Sequence, residues 1–360
     1  MSGNVTKKML AAYLQVSSAR TRFFSSMFQS PMQNFYNGEE VEIDIERDDE
    51  DIAITVTDLS KGYNYNSANV FTNKAFKAPV FKEASPINSI ELTKRMPGQN
   101  PFDDPDFQVN AMRKAFGIMN RMENKISRAI ELQASQVLTT GTVTLTDGAG
   151  TPLITIDFKP KATHFPTAGT AWNAGGADPR GDILALSNVI RNDGLADPTR
   201  LIFGEDAFEV FIQNADIQAL FDNRRIATGN LGESNLSDTG GNFRGSINIG
   251  NYMYEVWTYG GRYNAPGGAK TQYMPSDKVV AMAPGARLDA TLGNIPRIGA
   301  MDSRVMPFLP NRVSNVEGGR DMVVNAWLEP NGEQLTVGVG ARPLMIPTAI
   351  DQFGCLTTGI

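Results

Sequence analysis

The sequence predicts an α+β fold organised around one long helix, and three observations carry that expectation. Val109, Met112, Phe116, Met119, Ile126, Ile130 and Val137 recur at three-, four- or seven-residue steps, the spacing of one helical face. Short segments on either side alternate polar and apolar residues, as half-buried strands do. Past a Gly/Pro/Asn-rich passage, TAGTAWNAGGADPRGD, helical and strand patterns follow one another closely, which marks an α/β unit.

Charge organises the first part of the chain. No acidic residue precedes Glu39, and Lys7, Lys8, Arg20 and Arg22 stand among apolar side chains that read as exposed, Phe23 and Phe24 included. The sign then reverses through Glu39, Glu40, Asp48, Asp49, Glu50 and Asp51. VEIDIER at 41–47 and IAITVT at 52–57 alternate on either side of this acidic turn, an antiparallel hairpin signal. From Leu59 to Lys82 acid is again absent, and Lys61, Lys74, Lys77 and Lys82 accompany Phe71 and Phe76. Plus, minus, plus suits a chain that registers an arm and a loop against copies of itself, and simple solvated faces give the same pattern. The Asn-rich stretch within this region reads as an extended loop or two-stranded flap.

The helix itself is expected to begin near Asp106, to pack its stripe into its own subunit, and to close at Gly141. At 3.6 residues per turn it spans roughly nine turns, against a usual mean of about three, so it reads as a strut for an elongated body. TVTLTDGAGTPLITIDF follows as a hairpin around Asp147 and Gly148. ADPRGDI reads as a turn into a helix with Asp182 as its cap, so its Arg-Gly-Asp tripeptide needs no recognition role. Helical Ile183 to Ile190, a strand at Arg200 to Phe203, and helices at Glu205 to Asn214 and Asp216 to Asn223 come next. INIGNYMYEVWTYGG, TQYMPSDKVVAMAP, MVVNAWLEP and LTVGVGARPLMIP supply the later strands.

Composition excludes several function classes. With 41% hydrophobic and 20% charged residues over 360 positions, the chain reads as globular, with no apolar run long enough for a membrane span or a signal peptide. A net charge of −6 argues against a protein whose task is gripping nucleic acid. His164 is the only histidine and Cys355 the only cysteine, so a zinc site and an intramolecular disulfide cannot be assembled, and no nucleophile elbow surrounds His164. GVGAR at 338–342 is a fragment of a dinucleotide fingerprint, better read as glycines at a strand end, and no phosphate loop is present. The run Asp48 to Asp51 lacks the spacing of a calcium loop and reads as a solvated turn. No pattern singles out the two carboxylates of a carbohydrate hydrolase. No catalytic residue, cofactor or metal is expected.

The order of parts resembles the capsid subunit of tailed phages, the fold first seen in the phage from Hong Kong. Four stretches carry the resemblance to the lambda-type major capsid protein, or major capsid protein E, family: LTKRMPGQNPFDDPDFQ, TAWNAGGADPRGDI, YMPSDKVVAMAP and ARPLMIPTAIDQF. The resemblance implies an N-terminal arm at 1–40, an extended loop at 41–100 and a peripheral domain with spine helix and hairpin at 101–177. It further implies an axial domain at 178–290 and returning strands at 291–360. The implied function is an icosahedral shell of hexamers and pentamers around double-stranded DNA in a virion. Portal, scaffold and decoration proteins are the implied partners besides copies of the chain. The arm and loop residues named above are the candidate contacts between subunits. A cellular nanocompartment shell shares the fold and is the alternative reading. No Lys and Asn pair for covalent cross-linking is identified.

Overall fold

The computed structural model describes residues 22–29, 35–36, 40–45, 72–94, 107–221, 229–236, 239–293, 295, 304, 322–330 and 332–360. A 3-10 turn, Ser25–Met27, comes first. Strands β1 (Phe35–Tyr36), β2 (Glu40–Ile45), β3 (Thr72–Lys77) and β4 (Phe81–Asn88) precede the short helix α1 (Ser89–Leu92) and the spine helix α2 (Phe107–Thr140). Next are β5 (Thr142–Thr146), β6 (Pro152–Asp157), α3 (Pro179–Gly194), β7 (Arg200–Phe203), α4 (Glu205–Gln213) and α5 (Ala215–Phe221). Strands β8 (Gly229–Leu236), β9 (Asn242–Ile249), β10 (Tyr252–Thr258), β11 (Arg262–Asn264), β12 (Lys270–Gln272), β13 (Lys278–Met282) and β14 (Asp289–Gly293) follow. The chain closes with β15 (Val323–Leu328), β16 (Gln334–Ala341), β17 (Pro343–Ile346) and β18 (Phe353–Thr357).

Local chemistry sets the boundaries. Gly141 ends α2 with φ +66°, its N–H donating to the Val137 carbonyl at 2.9 Å, a left-handed closure in which a side chain would strike Pro160. In the hairpin of β5 and β6, one Asp147 carboxylate oxygen accepts from Ala149 N at 2.9 Å and Thr151 N at 2.8 Å, which fixes the turn. Helix α3 starts earlier than the sequence reading placed it. Asp178, not Asp182, is the cap and accepts from Gly181 N at 2.8 Å, because Pro179 lacks an N–H and is pre-set for the first helical position. Asp182 lies within that first turn and accepts from the Trp172 indole at 2.8 Å.

Two sheets and α2 define the body. The six-stranded sheet runs β18-β13-β7-β10-β9-β8, with β7 and β10 parallel and the other neighbours antiparallel. Strands β7 and β13 are buried on both faces past their first residue, which explains their apolar sequences, whereas β10 alternates, with Met253 and Glu255 exposed. In β7, Leu201 and Phe203 meet a core with α3, α4 and α5 through Ile183, Leu186, Phe211 and Ile217. Ile202 points to the opposite core, shared with Ala134, Val137 and Leu138 of α2. The first half of α2 lies on the sheet β15-β16-β4, where Ala111, Ala115, Ile118, Met119, Met122 and Ile126 pack against Ile87, Val324, Val337 and Val339. Strand β16 is central in this sheet, so Gly338 and Gly340 belong to a paired strand rather than a phosphate-binding turn.

The stripe expected on α2 is therefore split. Met119, Ile126 and Val137 are buried, whereas Val109, Met112 and Phe116 are 42%, 39% and 45% exposed. Ala111 and Ala115 take inner positions beside Ile118, Met119, Met122 and Ile126, and the face bearing Val109, Met112 and Phe116 is left outside. The described partner of strand β2 is β3, and residues 52–57, the second strand of the expected hairpin, lie outside the described residues.

The split makes opposite forecasts for two apolar truncations. Ile126→Ala should cost ~3 kcal/mol, and Phe116→Ala less than ~1 kcal/mol, both read from urea unfolding midpoints. Equal losses would contradict the assignment of the two faces.

Candidate functional site

Residues 22–29 form a strap across the second half of α2. The backbone N–H of Phe24 donates to Glu131 Oε1 at 2.8 Å and that of Ser25 to Oε2 at 2.9 Å. One helical turn earlier, Ser127 Oγ receives Arg22 Nη2 at 2.8 Å. At the strap's far end Gln29 N donates to Leu288 O at 2.8 Å and Gln29 O accepts from Ala290 N at 2.7 Å, a short parallel bridge onto β14. Phe23 and Phe24 each lie 5.1 Å from the Tyr259 ring, and Phe23 lies 5.7 Å from Trp257.

These contacts correct the reading of Phe23 and Phe24 as exposed adhesive side chains. They are 4% and 0% exposed and belong to the core of their own subunit. Burying Phe23, Phe24 and Phe28 contributes ~2 kcal/mol each. Ordering the strap's backbone costs on the order of 10 kcal/mol, so the polar anchors at Glu131, Ser127 and β14 are needed as well. No signal in the sequence joins these phenylalanines to Glu131, because a helical wheel alone does not distinguish that glutamate from a solvent-facing one.

The other candidate contacts divide into three groups. Lys7, Lys8, Arg20, Glu39, Asp48, Asp49, Glu50, Asp51, Lys61 and Phe71 lie outside the described residues. Strands β2 and β3 place Glu40 opposite Lys77, Val41 opposite Phe76 and Ile43 opposite Lys74, so an acidic and a basic segment share one ladder within the chain. Lys82 is exposed on β4, opposite Gly340. The structure thus brings Glu40, Lys74, Phe76 and Lys77 into one antiparallel ladder and Arg22 into the strap.

The residues with reactive side chains are engaged structurally. His164 is buried, with Nδ1 2.9 Å from the Phe353 carbonyl oxygen and Nε2 3.1 Å from Asp193 Oδ2. Lys161 Nζ meets the other Asp193 oxygen at 2.7 Å, and this hydrogen bond first, with that of His164 adding to it, holds the Asp193 carboxyl below its ordinary range. The cluster ties β18 and the segment before α3 to the end of α3. Burial pushes the Cys355 thiol up to about 12, which leaves it unreactive at neutral pH. Among the described residues no three His, Cys, Asp or Glu side chains gather as for a metal ion. No helix among them is long and apolar enough to cross a membrane.

The family model for phage major capsid protein E matches residues 6–354. The chain belongs to that family. It is a phage major capsid protein: a structural component of the virion that forms the capsid shell, not an enzyme. The prophage capsid protein of Escherichia coli CFT073 shares its fold, at a TM-score of 0.57 and 18% identity over 80% of this chain and 79% of that one. A phage-related protein from Bordetella bronchiseptica RB50 aligns over 98% of this chain and 97% of that one, at a TM-score of 0.49 and 10% identity. An encapsulin from Synechococcus elongatus PCC 7942 aligns over 96% and 89%, at 0.48 and 9%. Comparison with curated proteins yields no match.

In the capsid subunit, Gly241 lies directly under the Phe23 ring, and a Cβ there would overlap the ring edge. Gly241→Ala should cost ~1–3 kcal/mol by overpacking, and most of that loss should vanish in a Phe23→Ala background. Additive losses in this double-mutant cycle, read by chemical unfolding, would show that the strap does not press on Gly241.

Proposed function

We propose that copies of this subunit close as hexamers and pentamers into an icosahedral shell around double-stranded phage DNA, with the outward face of the first half of α2 as one contact between copies. The observation that carries this reading is the exposure of Met112 and Phe116 on a helix whose opposite side is fully buried. Two large apolar side chains one turn apart on a rigid helix make a ready anchor for an interface, since such anchors supply most of the binding energy. Arg113 and Arg121 are exposed nearby, so the face combines an apolar centre with a basic margin.

In the same reading the chain divides into arm, extended loop, peripheral domain, axial domain and returning strands, at the boundaries 1–40, 41–100, 101–177, 178–290 and 291–360. Lys7, Lys8, Arg20 and Arg22 of the arm, or Lys61, Lys74, Lys77 and Lys82 of the loop, face the acidic stretch Glu39 to Asp51 of a neighbouring copy. Each such exposed pair contributes at most ~1 kcal/mol, so charge sets register and apolar contacts supply adhesion. The register of Glu40 with Lys77 supports a narrower part for these two residues, since the ladder already places them opposite each other in one chain. A net charge of −6 suits an inner wall that must not hold phosphate tightly. A portal, a scaffold and a decoration protein complete the partners of such a shell.

The double variant Met112→Glu, Phe116→Glu tests the contact. It should keep the parent's unfolding midpoint within about 1 kcal/mol and yield no closed shells by electron microscopy under conditions in which the parent assembles. Shells formed at the parent's yield would remove this face from the interface.

A further inference from the structure

Glu131 is the one acidic side chain of α2 that is fully buried, and both of its carboxyl oxygens are turned to the strap. The strap supplies no balancing cation: Arg22, its basic residue, reaches Ser127 instead. The remaining titratable neighbours are Tyr259, whose side chain lies near the carboxyl, and Tyr273, stacked on Tyr259 at 6.2 Å. On α2 itself the acidic and basic side chains one or two turns away, Glu123, Lys125 and Arg128, point to the exposed or half-exposed side. A carboxyl held in an apolar seam by two N–H groups is stable there only as long as the strap covers it. Once the strap lifts, water reaches it.

We infer that docking of residues 22–29 on the spine helix is coupled to a proton on Glu131, so that the strap is held most firmly in acid and loosens as pH rises. The coupling follows from the two environments. In the docked state, burial favours the neutral carboxyl and raises its proton affinity above the ordinary carboxylate range, while the hydrogen bonds from Ser25 and Phe24 offset only part of that. In the undocked state the same side chain is hydrated and ordinary. A group whose docked value is raised contributes fully below its undocked value, and the contribution is lost as pH rises through the docked value. A neutral carboxyl still accepts from both N–H groups, one at the carbonyl oxygen and one at the hydroxyl oxygen. The chemistry is reversible proton transfer to solvent, with no other reactant.

Docking is a property of the single subunit, and its test does not depend on shell assembly. Amide exchange is followed by mass spectrometry on the purified full-length chain from pH 5 to pH 8, with rates converted to protection factors to remove the intrinsic pH dependence. Protection of residues 22–29 should fall with rising pH, by up to about tenfold per pH unit, and level off above the docked value. Protection of Val137 and Leu138 should stay constant, which separates local release from unfolding. Glu131→Gln, neutral at every pH, should remove the slope. A flat profile in the wild-type chain, or the same slope in Glu131→Gln, would make Glu131 a static cap and overturn the inference. The wild-type profile decides the matter even if the variant fails to fold.

Discussion

One helix carries two cores. The inner face of α2 is shared between the sheet β15-β16-β4, at Ala111, Ala115, Met119 and Ile126, and the underside of the six-stranded sheet, at Ala134, Val137 and Leu138. Because a helix has a fixed rise of about 1.5 Å per residue, this shared strut fixes the distance between the two sheets. Neither core can shift without dragging the other, so the subunit reaches a neighbour as a rigid piece. That rigidity matters to a capsid protein, whose contacts are repeated many times and whose geometric errors accumulate across the shell.

The remaining elements follow from how they meet α2. The hairpin of β5 and β6 folds back over the helix's last turns, with Val143 and Ile156 buried against Val137 and Leu138. The strap crosses one turn further back, where Glu131 and Ser127 present polar groups in an otherwise apolar seam. The six-stranded sheet is covered on one side by α3, α4 and α5 and on the other by this assembly, and its strands β7 and β13 are buried on both faces past their first residue. What stays uncovered on α2 is the opposite side of its first half, where Met112 and Phe116 stand. Interfaces that are individually modest become decisive when each subunit makes several in a closed lattice.

Much of this was legible in residue pattern. Strand β7 was located at its observed bounds because RLIF is short, apolar and flanked by turn residues, and Gly141 identified the end of α2 because only a glycine tolerates that closure beside Pro160. The direction of the helix's inner face was misread for a physical reason. Hydrophobic periodicity weights Met and Phe above Ala, yet near its start the helix buries Ala111 and Ala115 and leaves Met112 and Phe116 outside. The cap of α3 was placed four residues late, since Asp178 and Asp182 both precede apolar positions and only the missing N–H of Pro179 separates them. Glu131 was not found at all. Its role depends on a strap more than a hundred residues away in sequence, and no local pattern records so distant a partner.

The most direct test of the account is a cryo-electron microscopy reconstruction of assembled shells at side-chain resolution. The account predicts that Met112 and Phe116 are covered by a neighbouring copy, while Ala111, Ala115 and Ile126 face the β15-β16-β4 sheet of their own chain. A map in which Met112 and Phe116 open to solvent on every copy, with α2 packed by its alanine face against another subunit, would contradict it.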